Sequence, residues 1–469
     1  MTVPARSAAA IPGDSRAPDT DVLPASSRQD WCWHWVRCYT EDSAPLEAEV
    51  LLLRGRLDVG ALRDALADVE MRHDALRLHL AGDEGTVEDA TWPGQRLRPT
   101  PSGLHVVAAG SGRERAEMTH TLGQRLDLTD RMVRTTLVRS ADGEHLLVAQ
   151  FHHLAVDATS HDVFRRDLAA AYAARTEPGR GAPADGPAPF SYVDMIRQEQ
   201  SPQARVDRQR RAADLARTLR AHGAEEPIPA RPDAEVSLRA QSIGVPLTLS
   251  ADRTETLLRW CRERRTTPHN ALLALLARGV AEAYERDRLV ATVFMHGRTT
   301  PAARKAVGLL CNVMHVPLDI GDRGLSGLAR QVGDRMLAAW DGVDLPLSAV
   351  VDNTTARVGT EAVFRTALSH LAFDMTGGAG RRISDASAPL PFGPALSAQN
   401  VTYEPSYHRQ RFAGRRQALQ CARTLYATAQ MTESGITGSL RVDERYHDPE
   451  RLARVADVFH ASIDALPAG

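Results

Sequence analysis

The segment Phe151–Asp162, FHHLAVDATSHD, holds the densest set of side chains that could do chemistry. His152 and His153 close an apolar run, and Asp157 follows just before a helical pattern starts. Side chains alternate along a strand, so the two imidazoles are expected to point to opposite sides, one toward a cleft and one toward the core. Neutral imidazole titrates near about 6.5, which suits removal of a proton from an attacking amine or alcohol. Asp157 is too far along the turn to serve as an assumed partner of His153, and in a buried setting it needs a cation, an arginine, to be tolerated. Taken alone, a His-His pair beside a helix start is more often a pair of core histidines than a catalytic group. Zinc is disfavoured: adjacent histidines diverge, no HExxH is present, and His161 has no evident supporting partner. Other signatures are missing too. Gly324-Leu325-Ser326-Gly327 is not a nucleophile elbow, Gly377-Gly378-Ala379-Gly380 is not a phosphate loop, and no cysteine lies in a local catalytic pattern.

These residues must be held by a sizeable framework. The chain has 469 residues, 43% of them hydrophobic, which is more than one core usually spans and predicts two domains. Lys plus Arg number 57 against 59 Asp plus Glu, so no basic excess marks a nucleic-acid binder. No run approaches the roughly 18 apolar residues that cross a bilayer. The opening MTVPARSAAAIPGDSRAPDTD lacks the apolar core of a secretory signal and reads as a disordered tail over residues 1–21. Cys32, Cys38, Cys261, Cys311 and Cys421 form no disulfide framework or zinc pattern, which fits a reducing cytoplasm.

The elements read as a mixed α/β layer in each half. Leu51–Arg54 is expected as a strand, followed by a helix from Asp58 to Arg72 that buries Leu62, Leu66 and Val69. Val133–Arg139 and His145–Phe151 form a hairpin around Asp142-Gly143, with the second strand buried on both faces. A helix starts near Ser160, buries Phe164, Leu168 and Tyr172, and has capping-box spacing at Thr159 and Asp162. Pro202–His222 reads as a charged helix whose Arg205–Arg217 run is a solvated face. Ser250 and Thr267-Pro268 start two further helices, running through Arg264 and to Tyr284. A strand over Leu289–Met295 then leads into His296-Gly297-Arg298. Turn-rich stretches at Arg175–Phe190 and Gly377–Ser397 punctuate the chain. The expected division is 22–175 for the first half-domain, 176–245 for a linker and helical connection, and 246–469 for the second half-domain.

Together these pieces resemble the condensation domains of nonribosomal peptide synthetases, in the chloramphenicol-acetyltransferase-like superfamily. The family signature HHxxxDG is matched at His152-His153-Leu-Ala-Val-Asp157, with Ala158 in place of glycine. Ser26, Gln29 and Trp33 are similar to the family's opening SxAQxRLW, and Arg72-His73-Asp74-Ala75-Leu76-Arg77 to its RHExLR pattern. Tyr192-Val193-Asp194-Met195 resembles YxDF, Gly297-Arg298 resembles GR, and Val307 through Leu318 is similar to IGxFxNTLPLR. Asp344-Leu345-Pro346-Leu347 resembles QDLPF. Order and spacing hold from about residue 22 to the C-terminus.

The resemblance implies an α/β (α+β) fold of two chloramphenicol-acetyltransferase-like half-domains in a V shape, with a central tunnel. It implies that a donor acyl group arrives on the phosphopantetheine of a peptidyl or acyl carrier protein. An amine or alcohol acceptor, small or carrier-bound, enters from the other face. No tightly bound cofactor or metal, no nucleic acid and no membrane are expected. His153 matches the histidine that assists attack on the thioester, and His152 the structural one. Asp157 and Arg298 match a buried ion pair, so a direct contact between them is expected beneath the His153 loop. A local arginine patch is expected at one tunnel mouth for the carrier. Ala158 departs from the pattern: a positive φ there would make its Cβ cost roughly 1 kcal/mol, and the side chain would narrow the tunnel. No adenylation-like or carrier-like segment is evident, so the expected protein is a freestanding condensation enzyme that borrows its carrier. Two alternatives stand beside it: an acyl-CoA-dependent transferase of the same superfamily, and an inactive recruitment domain, against which the intact His153 and Asp157 argue.

Overall fold

The computed structural model describes residues 22–36, 46–82, 92, 94–110, 112–140, 143–177, 190–224, 242–354, 370–376, 390–392, 395–401, 424–443 and 447–467. The tail 1–21, Cys38, Cys421, Asp142 and most of the two turn-rich stretches lie outside these residues. The first half runs α1 (Ser27–Val36), β1 (Leu46–Gly55), α2 (Val59–Arg72), β2 (Leu78–Leu80), β3 (Gln95–Leu97) and β4 (Leu104–Ala108). It continues with α3 (Glu114–Gly123), β5 (Val133–Arg139), β6 (Glu144–His152), α4 (Ala158–Thr176), α5 (Tyr192–Glu199) and α6 (Pro202–Ala221). The second half follows as β7 (Ser242–Pro246), β8 (Leu249–Ser250), α7 (Ala251–Glu263), α8 (Pro268–Tyr284), β9 (Arg288–Met295) and β10 (Asn312–Asp319). Then come α9 (Leu325–Ala339), α10 (Leu347–Thr354), β11 (Leu371–Thr376), β12 (Leu390–Pro391) and β13 (Leu396–Asn400). The last elements are β14 (Leu425–Thr432), β15 (Gly435–Asp443) and a C-terminal helix, Pro449–Asp464.

Two main sheets result, one ordered β12-β13-β1-β6-β5-β4 and the other β10-β9-β11-β14-β15-β7. Strand β6 is central in the first sheet and covered on both faces, which is why its sequence is apolar almost without interruption. Leu147, Ala149 and Phe151 pack with Leu62 and Leu66 of α2 and with Phe164 and Leu168 of α4. Leu146 and Val148 pack on the other face with Met118 and Leu122 of α3. Burying one such Leu or Phe contributes about 1.5–3 kcal/mol, so this two-sided layer fixes the height and tilt of the strand end that carries the histidines. In the second half, α8 is buried on nearly all sides, between the sheet and the C-terminal helix.

Several expectations need correction. Strand β1 begins at Leu46 rather than Leu51, because Glu47 and Glu49 lie within it, paired with Phe151 and Ala149 of β6. The cap of α4 is Asp157, whose carboxylate accepts from Ser160 N while Ser160 Oγ accepts from Asp157 N; Thr159 and Asp162 do not form it. The stretch 377–397 is not wholly turn: Leu390–Pro391 and Leu396–Asn400 are strands of the first sheet, β13 pairing antiparallel with β1. Proline is tolerated in the outer strand β12 because no ladder partner is needed on its far side. Part of the segment assigned to 246–469 therefore completes the first half's sheet. Gly55 marks the approach, since a Cβ there would meet Ala395 O at 2.2 Å. The arginine run of α6 is not wholly solvated: Arg208 is buried, and Arg211 forms a two-pronged bond with Asp344 at 2.7 and 2.8 Å.

Candidate active site

Strand β6 delivers His152 into the core and leaves His153 on the first residue of the following turn. His152 is buried, and its Nδ1 accepts from Leu154 N at 3.2 Å. Burial pulls its pKa down to about 3, with the neighbouring His153 adding to the effect, so His152 is a neutral, structural imidazole. His153 keeps 15% side-chain exposure and meets the edge of Trp31 at a ring distance of 5.6 Å. Trp31 in turn contacts Phe294 of β9, so an aromatic bridge spans the two halves beside His153.

The loop beneath the histidines is tied down from several sides. Gln29 of α1 donates to Leu154 O at 3.1 Å and to Gln95 Oε1 at 3.0 Å. Asp157 lies against Arg298, Oδ1 to NH2 at 2.7 Å, with both side chains almost wholly buried. Its Oδ2 accepts from Leu310 N at 3.0 Å and from Cys311 N at 3.1 Å. Arg298 NH1 donates to Ala303 O at 2.6 Å and Ala306 O at 2.7 Å. Ser160 Oγ accepts from Gly308 N at 3.1 Å, and Val307 N donates to His73 Nδ1 at 3.3 Å. The segment 307–311 of the second half is thus strapped onto the first half by Asp157, Ser160 and His73. Gly297 permits the turn that brings Arg298 inward: its φ is +58°, and a Cβ would meet Leu310 O at 1.8 Å.

The motif positions read from sequence converge here. Ser26 Oγ and the Tyr192 hydroxyl lie 2.8 Å apart, and Tyr192 donates to Leu309 O at 3.1 Å. Asp74, standing where the family pattern has glutamate, accepts from the backbone N of Tyr192 and Val193 and fixes the start of α5. Ala158 is the first residue of α4 and exposed, and the positive-φ non-glycine residues described are Arg265 and Glu285. The feared backbone strain at Ala158 is therefore absent.

Sequence reasoning missed Glu47, Glu49 and the partners of His161. Glu47 Oε1 lies 2.5 Å from His153 Nδ1, and its Oε2 lies 2.5 Å from His161 Nε2. His161 Nδ1 faces Glu49 Oε2 at 3.2 Å, and Arg165 donates to Glu49 at 3.0 Å and to Asp162. His161 also sits edge-on to Phe151, with ring centroids 5.4 Å apart. Burial opposes charge on these groups, but the Glu47 and Glu49 carboxylates lift His161 to about 9. Burial likewise pulls His153 down, and Glu47 more than reverses it, leaving His153 above the ordinary histidine value. The two imidazoles overcome the burial of Glu47 and hold it well below the usual carboxylate range. A usable signal was present: Glu47 and Glu49 at i, i+2 share one strand face, and His161 and Arg165 at i, i+4 share one helix face.

A cavity of about 680 Å³ opens in the second half between the ends of α7 and α9. Arg264, Arg265 and Arg330 line it with Met295, Met336 and Trp340, and Glu263 and Asp334 contribute negative charge. Among the described residues, no group of three or more His, Cys, Asp or Glu is arranged to hold a metal ion. No described helix is long and apolar enough to cross a membrane.

This fold and loop geometry define a condensation domain, and comparison with known proteins agrees. The Condensation domain family matches residues 19–378, and the chain belongs to that family. It is 31% identical over 340 residues to the isonitrile lipopeptide synthase of Mycobacterium tuberculosis (strain ATCC 25618 / H37Rv), covering 71% of this chain and 13% of that protein. Identity is 27% over 389 residues to the probable non-canonical nonribosomal peptide synthetase CymA of Salinispora arenicola (strain CNS-205), covering 78% of this chain and 5% of the relative. The chain thus spans a small fraction of these relatives' length. Among solved structures, the X-domain in complex with OxyB from teicoplanin biosynthesis superposes with a TM-score of 0.70 at 23% identity, covering 98% and 97% of the two chains. The SgcC5 protein of Streptomyces globisporus gives 0.64 at 19% identity, covering 95% and 99%.

Proposed function

We propose that this protein is a condensation enzyme of natural-product biosynthesis. It transfers an acyl or aminoacyl group from a carrier-protein phosphopantetheine thioester to an amine or alcohol acceptor. The observation that supports this most is His153 itself. It is a partly exposed imidazole at the junction of the two halves, seated on the loop that Asp157 and Arg298 lock from opposite sides. Nδ1 faces two acceptors, Val156 O at 2.9 Å and Glu47 Oε1 at 2.5 Å, so Nδ1 donates and the neutral ring carries its lone pair on Nε2. In the reaction, Nε2 takes the proton from the acceptor as its nitrogen or oxygen attacks the thioester carbonyl. A C–N or C–O bond forms, the C–S bond breaks, and the phosphopantetheine sulfur leaves as a thiolate that takes up the proton.

His152, Asp157 and Arg298 support this geometry without touching substrate. Ala158, exposed at the start of α4, is read as lining the substrate path. The arginine-bearing cavity fits the carrier-side approach of a phosphopantetheine arm, whose phosphate is anionic and whose stem is partly apolar. A loaded carrier protein incubated with candidate acceptors, followed by intact-mass analysis, tests the proposal. Acceptor-dependent loss of the acyl mass, abolished in His153→Ala, is expected. Equal turnover with acyl-CoA would overturn the carrier dependence, and undiminished turnover in His153→Ala would overturn the base assignment.

A further inference from the structure

Glu47 lies far from the HHxxxD loop in sequence, yet among the described residues its carboxylate is in direct contact with His153, 2.5 Å from Nδ1. Its other oxygen is equally close to His161, and both nitrogens of His161 face carboxylates, so that ring carries both protons and is a cation by geometry alone. The chain of charge runs on through Glu49, Arg165 and Asp162. Counting the cluster without His153 gives three carboxylates (Glu47, Glu49, Asp162) against two cations (His161, Arg165), a net −1. Protonating His153 brings that sum to zero.

We propose that Glu47 is the positioning carboxylate of His153, held in place and in charge by His161. Glu47 fixes the ring with its proton on Nδ1 and stabilises the imidazolium that forms when Nε2 accepts the acceptor's proton. This deepens the functional reading above and rests on it only for the identity of the proton donated. The pairing itself is independent of which substrate is used. The backbone enforces the arrangement: Glu47 pairs with Phe151 in the β1–β6 ladder, two residues before His153, so its side chain leaves the sheet on the face that α4 covers. His161 projects from the first turn of α4 onto that same face and closes the cluster. Glu47 is only partly exposed, at 28% of its side chain, so its charge is better tolerated with both imidazoles beside it than without them.

Other ionisable groups also act on His153 and enter any titration. Asp157 on the α4 cap raises its affinity for a proton, while His152 on β6 interacts with it as a neutral ring. The thiols of Cys32 on α1 and Cys311 beside β10 are pushed up by burial and stay neutral through the working range. Glu47 is the one of these that makes a direct contact with the ring.

The experiment is a pH titration of the full chain carrying ¹⁵N-labelled histidine, followed by NMR, with His153→Gln used to assign the His153 signals. Wild type is expected to show Nδ1 as the protonated nitrogen at high pH and a midpoint above the ordinary value. In Glu47→Gln the midpoint should fall by about one unit or more, as loss of an opposite charge within about 4–6 Å implies. Glu47→Asp, which withdraws the carboxylate by one methylene, should fall between the two and serves where the glutamine variant does not fold. The acid limb of the pH–kcat profile should move in the same direction, with KM for the acceptor nearly unchanged. A His153 midpoint and tautomer unaltered in folded Glu47→Gln or Glu47→Asp protein would overturn the proposal. If instead the titration shifts as expected but His153→Ala keeps its turnover, the pairing stands and the catalytic reading fails.

Discussion

Breaking the Asp157–Arg298 contact offers the most direct physical test of how the two halves are joined. Arg298 is 2% exposed, and its guanidinium meets one carboxylate and several carbonyls in a space that water does not reach. Removing one member of such a pair commonly costs about 3–5 kcal/mol, because the other charge is left buried without compensation. The two deletions are not equivalent here. Replacing Arg298 by Met leaves the Asp157 carboxylate four donors: Ser160 N and Oγ on Oδ1, and Leu310 N and Cys311 N on Oδ2. Its loss should therefore lie near the lower end, about 3 kcal/mol. Asp157→Ala strands the guanidinium and also removes the α4 cap, worth about 1 kcal/mol more, so about 5 kcal/mol is expected. Asp157→Asn keeps a capping oxygen and isolates the charge. In urea or guanidinium denaturation, the double variant Asp157→Asn, Arg298→Met should be more stable than the summed single losses by about 2 kcal/mol or more. Single losses that add within about 0.5 kcal/mol would refute the reasoning, since independent sites behave that way.

His153→Ala should leave a folded protein, since the ring is partly exposed, and should lower turnover by about 10²–10⁴-fold, the usual contribution of a positioned base. Ala158→Gly, which restores the family's glycine, should cost about 0.5–1 kcal/mol in thermal denaturation rather than stabilise, because Ala158 is helical and unstrained; a gain in Tm would contradict this. His161 has a folded pKa of about 9, above its unfolded value near about 6.5, so its stabilisation is complete below about pH 6.5 and is lost as pH rises toward 9. That loss should amount to about 3 kcal/mol in denaturation midpoints taken across the window, and it should shrink in Glu47→Gln. At the acid end His152, held neutral by burial with a pKa of about 3, has the opposite sign: stability present above about pH 6.5 declines as pH falls toward 3.

The sequence by itself determined the local elements and the family. Period-2 and period-3.6 patterns placed β5, β6, α2 and α4, and the caps at Ser250 and Thr267 started α7 and α8 where they stand. These features depend on residues close in the chain, so spacing alone carries them. The need of Asp157 for an arginine was also legible, because a carboxylate at the end of a buried strand has few tolerable surroundings. What only the tertiary structure decided concerns groups brought together from afar. Glu47 and Glu49 precede the strand expected at Leu51–Arg54, and it is the β1–β6 register and the packing of α4 that make them the acidic partners of His153 and His161. Asp157 took the cap that local spacing assigned to Thr159, because its carboxylate serves Ser160, Arg298 and the strap 307–311 at once. Strands β12 and β13 cross back to the first sheet through a stretch whose Pro and Gly content reads as turn, because the open edge of β1 supplies backbone partners that no nearby residue offers. Pairing across hundreds of residues leaves no period in the sequence, so the completed sheet became visible only in three dimensions, and the local spacings of Glu47 with Glu49 and of His161 with Arg165 needed the sheet register to be joined under His153.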